Sequence, residues 1–400
     1  MKLGTNHRLS GRGKRAIVVA ASLTVVTIPA SILAQAPPAE SAQEHSQLAR
    51  SRGGEKRFYP ENKFDLSRLE SYKPAAQLSG TLRVAGSNYI TDSPLAGWWR
   101  DAFRKFHPNL EIEYNTPSAA IAIPSLYLGA ADIGMNHEPS FYDYLSFMRL
   151  KGYAPTGFSI VTGSFNLSGW QNTIVIAVHK SNPINSLSME QLDGIFGSRR
   201  DGGWAGAIWH PEFTRGSEKD IRTWGQLGVK GALANKRIHV YGYTPRYATA
   251  LEFSNKVLQS SDKWNEDLVA FGNARQADNS ISSQADQMRD AMIQDPSGIA
   301  IIRYKDEVPR DLKVLAIAPL GGGAPVPYTI ETIQNRTYPL WGDQSFFVSV
   351  KPGTKLDPKI KEFIRFVLSR EGQELVRKDG KYLPLSLEVS AEELRKLAAY

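Results

Sequence analysis

An α/β fold is what this 400-residue sequence predicts, on three observations. From Ser79 onward, short strand-like stretches alternate with segments whose apolar residues recur at helical spacing, the pattern of sheets layered with helices. A hydrophobic content of 42% beside 22% charged residues belongs to a globular chain rather than one disordered throughout. A length of 400 residues accommodates one large two-lobed domain or two to three smaller ones.

The first element stands outside the fold. Lys2, Arg8, Arg12, Lys14 and Arg15 precede the apolar run from Ala16 to Ala34, and Ala34-Gln35-Ala36 follows as a small-x-small cleavage site. Residues 1–36 therefore read as a secretory signal peptide; Pro29 and the Ser and Thr residues interrupting the run argue against a membrane anchor. Those residues hold five bases and no acids, so subtracting them from the net charge of +8 leaves +3. No basic run is interleaved with aromatics, and nucleic acid is not an expected partner. The chain has no cysteine, which excludes disulfides, thiolate metal sites and Cys nucleophiles and suits a bacterial periplasm. Residues 37–78 are rich in Pro, Glu, Ser, Gln and Arg with little apolar periodicity, and read as an extended polar leader.

The alternation begins at "GTLRVAGSN", a strand with Leu82 and Val84 on one face and a turn at Gly86-Ser87-Asn88. Asp92 or Ser93 is placed to cap the next helix, with Pro94 near its first turn. Leu95, Trp98, Trp99, Ala102, Phe103 and Phe106 follow at i, i+3, i+4, i+7, i+8 and i+11, which makes both tryptophans core residues in expectation. Pro108 ends that helix and "LEIEY" alternates as a second strand. A short helix near Ile121–Leu128 leads into "GAADIG", a strand that carries Asp132 among small apolar residues. That carboxylate reads either as a structural acceptor for a backbone N–H or as a ligand acceptor at a strand end. Thr173–Val178 is an apolar strand, and Ser188 with Gln191 has capping-box spacing at the head of the following helix. Residues 198–226 read as a long surface loop. "VYGYTPRYATALEF" then turns from strand to helix, starting either at Thr244-Pro245 or, with Thr249 and Glu252 as a capping box, at Ala250. A helix near Gln284–Met292, the strands "GIAII" and "QSFFVSV", and two C-terminal helices stopped by Gly380 complete the pattern.

No H-E-x-x-H, G-x-S-x-G, Walker or G-x-G-x-x-G motif stands in context, and no activated nucleophile is apparent. His137 and Glu138 follow Asp132 closely, but sequence proximity in a loop is not a convergent metal site. The remaining chemistry is a set of strand-to-turn junctions at Ser87, Ser118 and Arg246, together with Asp132. Such turns point backbone N–H groups outward, where a small anion can sit without any catalytic group.

"SGTLRVAGSN", "SLYLGAADIG", "VIAVHKSNPINSLSMEQLDGIF", "TWGQLG", the strand and turn at Val240–Thr249, "SGIAIIRY", "RTYPL" and "FIRFVLSREGQELVRKDGKYLPL" occur in one order and spacing. Over residues 79–386 that order resembles the periplasmic phosphate-binding proteins of ABC transporters. The resemblance implies the type II periplasmic-binding-protein fold: two α/β lobes, each a mixed sheet flanked by helices, with the ligand cleft between them. Lobe 1 would comprise 79–175 plus 305–388 and lobe 2 residues 176–304, leaving 389–400 as a C-terminal tail. It further implies a monomer in the periplasm that captures phosphate or a similar small oxyanion, without cofactor or catalysis, and hands it to an inner-membrane permease. Carried over by position, the ligand set is Ser87, Asn88, Ser118, Asp132, Arg246 and Thr249, with Asp132 accepting from a protonated oxyanion and pairing with Arg246. Thr116-Pro117-Ser118-Ala119-Ala120 replaces the family's hydroxyl-rich loop, and Tyr243 and Tyr247-Ala248-Thr249 replace an arginine and a Ser-Gly-Thr. The same fold holding an organic or phosphorylated ligand on Tyr243 and Tyr247, or an exported sensory or structural partner, are the alternative readings.

Overall fold

The computed structural model describes residues 59, 64–165, 170, 173–245, 247–303 and 310–400. The signal-peptide expectation, residues 1–36, lies outside them.

The chain first lays down β1 (Ser79–Gly86), α1 (Leu95–Arg104), β2 (Asn109–Asn115), α2 (Ala122–Tyr127), β3 (Ile133–Asn136), α3 (Phe141–Lys151) and β4 (Thr156–Thr162). Local chemistry accounts for their ends. The Ser93 hydroxyl accepts from the Leu95 N–H at 3.2 Å before α1. At the start of α3 the Ser140 hydroxyl and the Asp143 carboxylate each accept from the other's backbone N–H, and Gly152 stops the helix in the left-handed region. On α1, Leu95, Trp99 and Phe103 are buried, as their spacing requires. Trp98 departs from its expectation: it lies half-buried with the Lys378 ammonium 4.3 Å from its ring centroid, a helix flank covered by a lysine stem rather than core.

The middle of the chain supplies β5 (Ile174–His179), β6 (Ser186–Ser188), α4 (Met189–Phe196), the hairpin β7 (Gly203–Ala205) and β8 (Ile208–His210), and β9 (His239–Tyr243). Then come α5 (Ala248–Val257), β10 (Val269–Phe271), β11 (Ala274–Arg275), β12 (Ile281–Ser282), α6 (Gln284–Ile293), β13 (Gly298–Arg303), β14 (Leu312–Val314), β15 (Ala316–Ala318) and α7 (Ile330–Gln334). The last elements are β16 (Asp343–Val348), α8 (Pro358–Leu368), α9 (Arg370–Asp379) and α10 (Leu387–Ala398). The capping box of α4 forms as its spacing predicts, through Ser188 and Gln191.

Two five-stranded sheets result, in the orders β2-β1-β3-β16-β4 and β10-β9-β13-β5-β14. In each, three strands run parallel and the remaining two pairings, β16 on β3 and β4 or β5 on β13 and β14, are antiparallel. Each sheet has its own core, one around Leu82, Trp99, Phe103 and Phe363, the other around Ile176, Val240, Phe253 and Ile301. This is the two-sheet α/β architecture that the sequence predicts.

Four expectations change. The leader is not free of the fold at its C-terminal end: Phe64, Leu66, Leu69 and Tyr72 are buried, each worth about 1.5–3 kcal/mol at full burial. They dock singly rather than on a helical face, which is why no periodicity betrayed them. The Tyr72 hydroxyl donates to Glu362 Oε2 at 2.8 Å and lies 2.7 Å from His107 Nε2, deep in the first core. The expected tail at 389–400 belongs to α10, with Val389 and Leu397 buried. The chain stays with the second sheet beyond residue 305: β14 pairs with β5, β15 with β6, and Ile333, Tyr338 and Leu340 join the second core before β16 returns to the first sheet. An uncovered β5 would leave an open edge, and β14 closes it. Finally, residues 198–226 hold a hairpin and three short helical turns around buried Arg200 and Arg215, whose partners are Asp193 and Asp220, so ion pairs hold together what reads as a polar loop.

Candidate functional site

The C-terminal ends of β1, β2 and β3 meet at one edge of the first sheet. Gly86 ends β1 at φ +133, and a Cβ there would stand 2.2 Å from the Met135 carbonyl oxygen, so the close approach of β1 to β3 requires glycine. The Ser87 N–H donates to that same carbonyl at 2.7 Å, and Ser87 is buried. The Asn88 carbonyl accepts from the Asp92 N–H at 2.7 Å and from Thr91 Oγ1 at 3.0 Å, while its side-chain amide donates to the Asp92 carboxylate. Thr91 Oγ1 lies 2.7 Å from Thr116 Oγ1, which ties the turn after β1 to the loop after β2. In that loop the Ser118 hydroxyl accepts from the Ala120 N–H at 3.3 Å. Asn136, the last residue of β3, donates from Nδ2 to the Ala119 carbonyl at 3.4 Å, and its Oδ1 accepts from the N–H groups of His137 and Glu138 at 2.7 and 3.2 Å. Ser87, Asn88 and Ser118 are thus brought to one edge, with Asn136 joining them.

Asp132 is not there. It precedes β3, whose Ile133 is level with Val84 and whose Met135 is level with Gly86. Its level is that of Arg83, four residues before Ser87, or roughly 13 Å back along the strand at the usual rise. Its Oδ2 accepts from the Arg83 N–H at 2.8 Å and its Oδ1 from the Arg83 guanidinium at 2.9 Å. Burial raises this carboxyl, but the Arg83 hydrogen bonds and charge outweigh burial and hold it below the usual aspartate value. The carboxylate is committed to Arg83, so it is neither a ligand acceptor nor the partner expected for Arg246. A strand-bound ligand site lies at the C-terminal ends of the parallel strands, and applying that rule to "DIGMN" would have moved attention from Asp132 to Asn136, His137 and Glu138.

The second sheet presents the matching junction. β9 ends at Tyr243, the Thr244 N–H donates to the Phe271 carbonyl at 2.9 Å, and the Tyr247 N–H returns to the Thr244 carbonyl at 2.9 Å. α5 then starts at Ala248, between the two starts that the sequence allows, with Tyr247 as N-cap and no side-chain cap. Thr249 is buried as its second residue, so the Thr249–Glu252 capping box does not form. The first N–H groups of such a helix have no intrahelical acceptor and carry its partial positive charge. Arg246 lies outside the described residues. Tyr243 is buried in the second core, and the Tyr247 hydroxyl accepts from the Asn273 N–H at 3.1 Å. Tyr243 therefore offers no open stacking face to an organic ligand, and Tyr247 is half-buried with its hydroxyl engaged.

Side chains also meet across the cleft. Asn255 Nδ2 on α5 donates to Glu138 Oε1 at 2.7 Å. Burial pushes the Glu138 carboxyl above the usual glutamate value, against the opposing pull of the Lys256 charge and the Asn255 hydrogen bond. The Lys256 ammonium and the Arg336 guanidinium lie 4.7 and 4.5 Å from the Trp341 ring centroid, on the segment that enters β16. At the rim, the rings of Phe141 on α3 and Trp204 on β7 are 4.5 Å apart. Sequence reasoning missed Asn255, Lys256 and Trp341, because only the fold brings them near Glu138. Among the described residues no group of three or more His, Cys, Asp or Glu could hold a metal ion, and no helix is long and apolar enough to cross a membrane.

Comparison with known proteins bears on the family of the chain. The Phosphate-binding protein PstS of Pseudomonas aeruginosa is 29% identical over 332 residues, covering 82% of this chain and 90% of that one. Protein SphX of Synechococcus elongatus is 24% identical over 309 residues, covering 76% and 77%. Among solved structures, PstS from Borrelia burgdorferi aligns with 77% of this chain and 100% of its own, at 15% identity and a TM-score of 0.49. The model of the PBP superfamily domain matches residues 72–371, three quarters of the sequence, and the chain belongs to that superfamily.

Proposed function

We propose that this protein is the solute-binding component of an ABC transporter, exported to the periplasm, where it captures phosphate or a similarly small oxyanion and passes it to an inner-membrane permease without catalysing a reaction. The observation that carries this reading is the 29% identity to a phosphate-binding protein over nearly the whole of that relative. The proposed ligand set is Ser87, Asn88, Ser118, Thr249 and Arg246. The site's physical chemistry suits it: backbone N–H groups at strand-to-helix turns and hydroxyl donors surround a small anion, and the positive end of α5 adds an attraction that needs no cofactor. The buried placement of Tyr243 argues against its part in the organic-ligand alternative.

Titration calorimetry of the mature chain with phosphate, sulfate and a small organic phosphate tests the proposal. Saturating heat with phosphate and none with the organic phosphate is expected. Heat with the organic phosphate alone would transfer the function to that ligand class, and silence with all three would remove the solute-binding role for oxyanions.

A further inference from the structure

Asn255, which is not in the proposed ligand set, spends its amide on a carboxyl from the opposite sheet. It lies seven residues after Ala248, so it shares the face of α5 that begins at the cleft but sits about 10.5 Å further along the axis. Glu138 is presented from an equally fixed place: its own N–H is held by Asn136 Oδ1 at 3.2 Å, two residues past the end of β3. The bond between them therefore joins the C-terminal edge of the first sheet to the C-terminal half of α5. The groups facing Glu138 are Asn255 and Lys256 from α5 and the Tyr144 phenol from α3, whose proton is held more tightly by its own burial and by the Glu138 and Asp143 charges. Lys256 is in turn seated over Trp341 on the segment between the sheets. Separating the sheets would break the 2.7 Å bond and strip a buried carboxyl of its neutral donor.

We infer that the Glu138–Asn255 hydrogen bond is a latch that holds the two lobes closed over the cleft, making both side chains positioning residues for ligand capture. The latch acts on lobe opening and so governs how fast a ligand leaves. What is captured rests on the proposed function; the latch itself does not.

The absence of native cysteine gives a direct test. Asp101→Cys on the first lobe and Lys236→Cys on the second, both exposed positions, take a spin label each, and pulsed dipolar spectroscopy reads the distance between them without added ligand. The labelled chain is expected to show one short distance. Asn255→Ala and Glu138→Ala should each add a longer population, the double variant should add no more than either alone, and Glu138→Gln, which keeps the acceptor oxygen, should restore the short distance. Asn255→Asp, which sets two carboxyls together, should open the lobes further and serves as a second probe should an alanine variant fold poorly. With inorganic phosphate, the alanine variants should release about tenfold faster, the worth of one hydrogen bond. Identical distance distributions in Asn255→Ala, Asn255→Asp and the unaltered chain would overturn the latch, as would additive effects in the double variant. Lengthened distances in a chain that binds no phosphate would uphold the latch and overturn the phosphate reading alone.

Discussion

The two lobes repeat one backbone plan and fill it with different chemistry. Three parallel strands and antiparallel neighbours recur in both sheets, and both send the chain out of a strand end into a turn facing the cleft. In the first lobe the turns are held by side chains: the hydroxyls of Ser87, Thr91, Thr116 and Ser118 all bond within them. In the second, α5 opens on Tyr247 with no side-chain cap. Strand order thus preserves where N–H groups point, while the side chains that would complete an anion site can differ from lobe to lobe.

The largest expected difference between the lobes lies in their strand glycines. Gly86→Ala forces a Cβ against the Met135 carbonyl at a positive φ and should cost about 3 kcal/mol or more in urea unfolding. In the second lobe Gly242→Ala meets side-chain ends, Leu268 Cδ1 at 3.1 Å and Ile301 Cδ1 at 3.6 Å, which can yield, so a cost within about 1 kcal/mol is expected. Equal costs would dissolve the contrast.

The docked end of the leader, Phe64–Tyr72, comes next, since Tyr72 anchors it to the first lobe. Tyr72→Phe deletes a hydroxyl bonded to a carboxylate and should cost about 1.5–3 kcal/mol in the same assay. His107, beside it, is held below the usual histidine value of 6.5 mainly by burial, against the opposing charge of Glu362. An unfolded chain therefore binds a proton that the folded chain refuses. This contribution to stability is complete above pH 6.5 and is lost as pH falls below it, by up to about 1.4 kcal/mol per pH unit until the folded-state value is reached. His107→Asn should flatten that part of the profile; an unchanged profile would show that His107 does not set it.

Smaller effects separate the two ends of the paired strands β1 and β3. Ser87→Ala should weaken phosphate binding about tenfold, the worth of one hydrogen bond. Asp132→Asn, at the opposite end, should leave the preference for phosphate over sulfate unchanged while costing some stability through Arg83. Relaxed selectivity in Asp132→Asn would return that carboxylate to the site.

The fold was legible wherever a period or a cap was at work. The i, i+3, i+4 rows of α1, the Ser188–Gln191 box and the apolar run of β5 all state their structure locally. The docked end of the leader, Phe64–Tyr72, was not, because single apolar residues buried in cores built from distant parts of the chain leave no periodic trace. The turn residues Ser87 and Ser118 could be picked out since strand-to-turn junctions are visible in sequence. Asp132 misled because residue type was visible and strand end was not. The Glu138–Asn255 bond joins residues 117 apart and is created only by the packing of two sheets.

A calorimetric titration of the chain with phosphate, repeated with Ser87→Ala, tests the central claim most directly. The account predicts saturable heat at one phosphate per chain that weakens about tenfold when the Ser87 hydroxyl is removed. Undiminished binding in Ser87→Ala, or no heat from the unaltered chain, would contradict it.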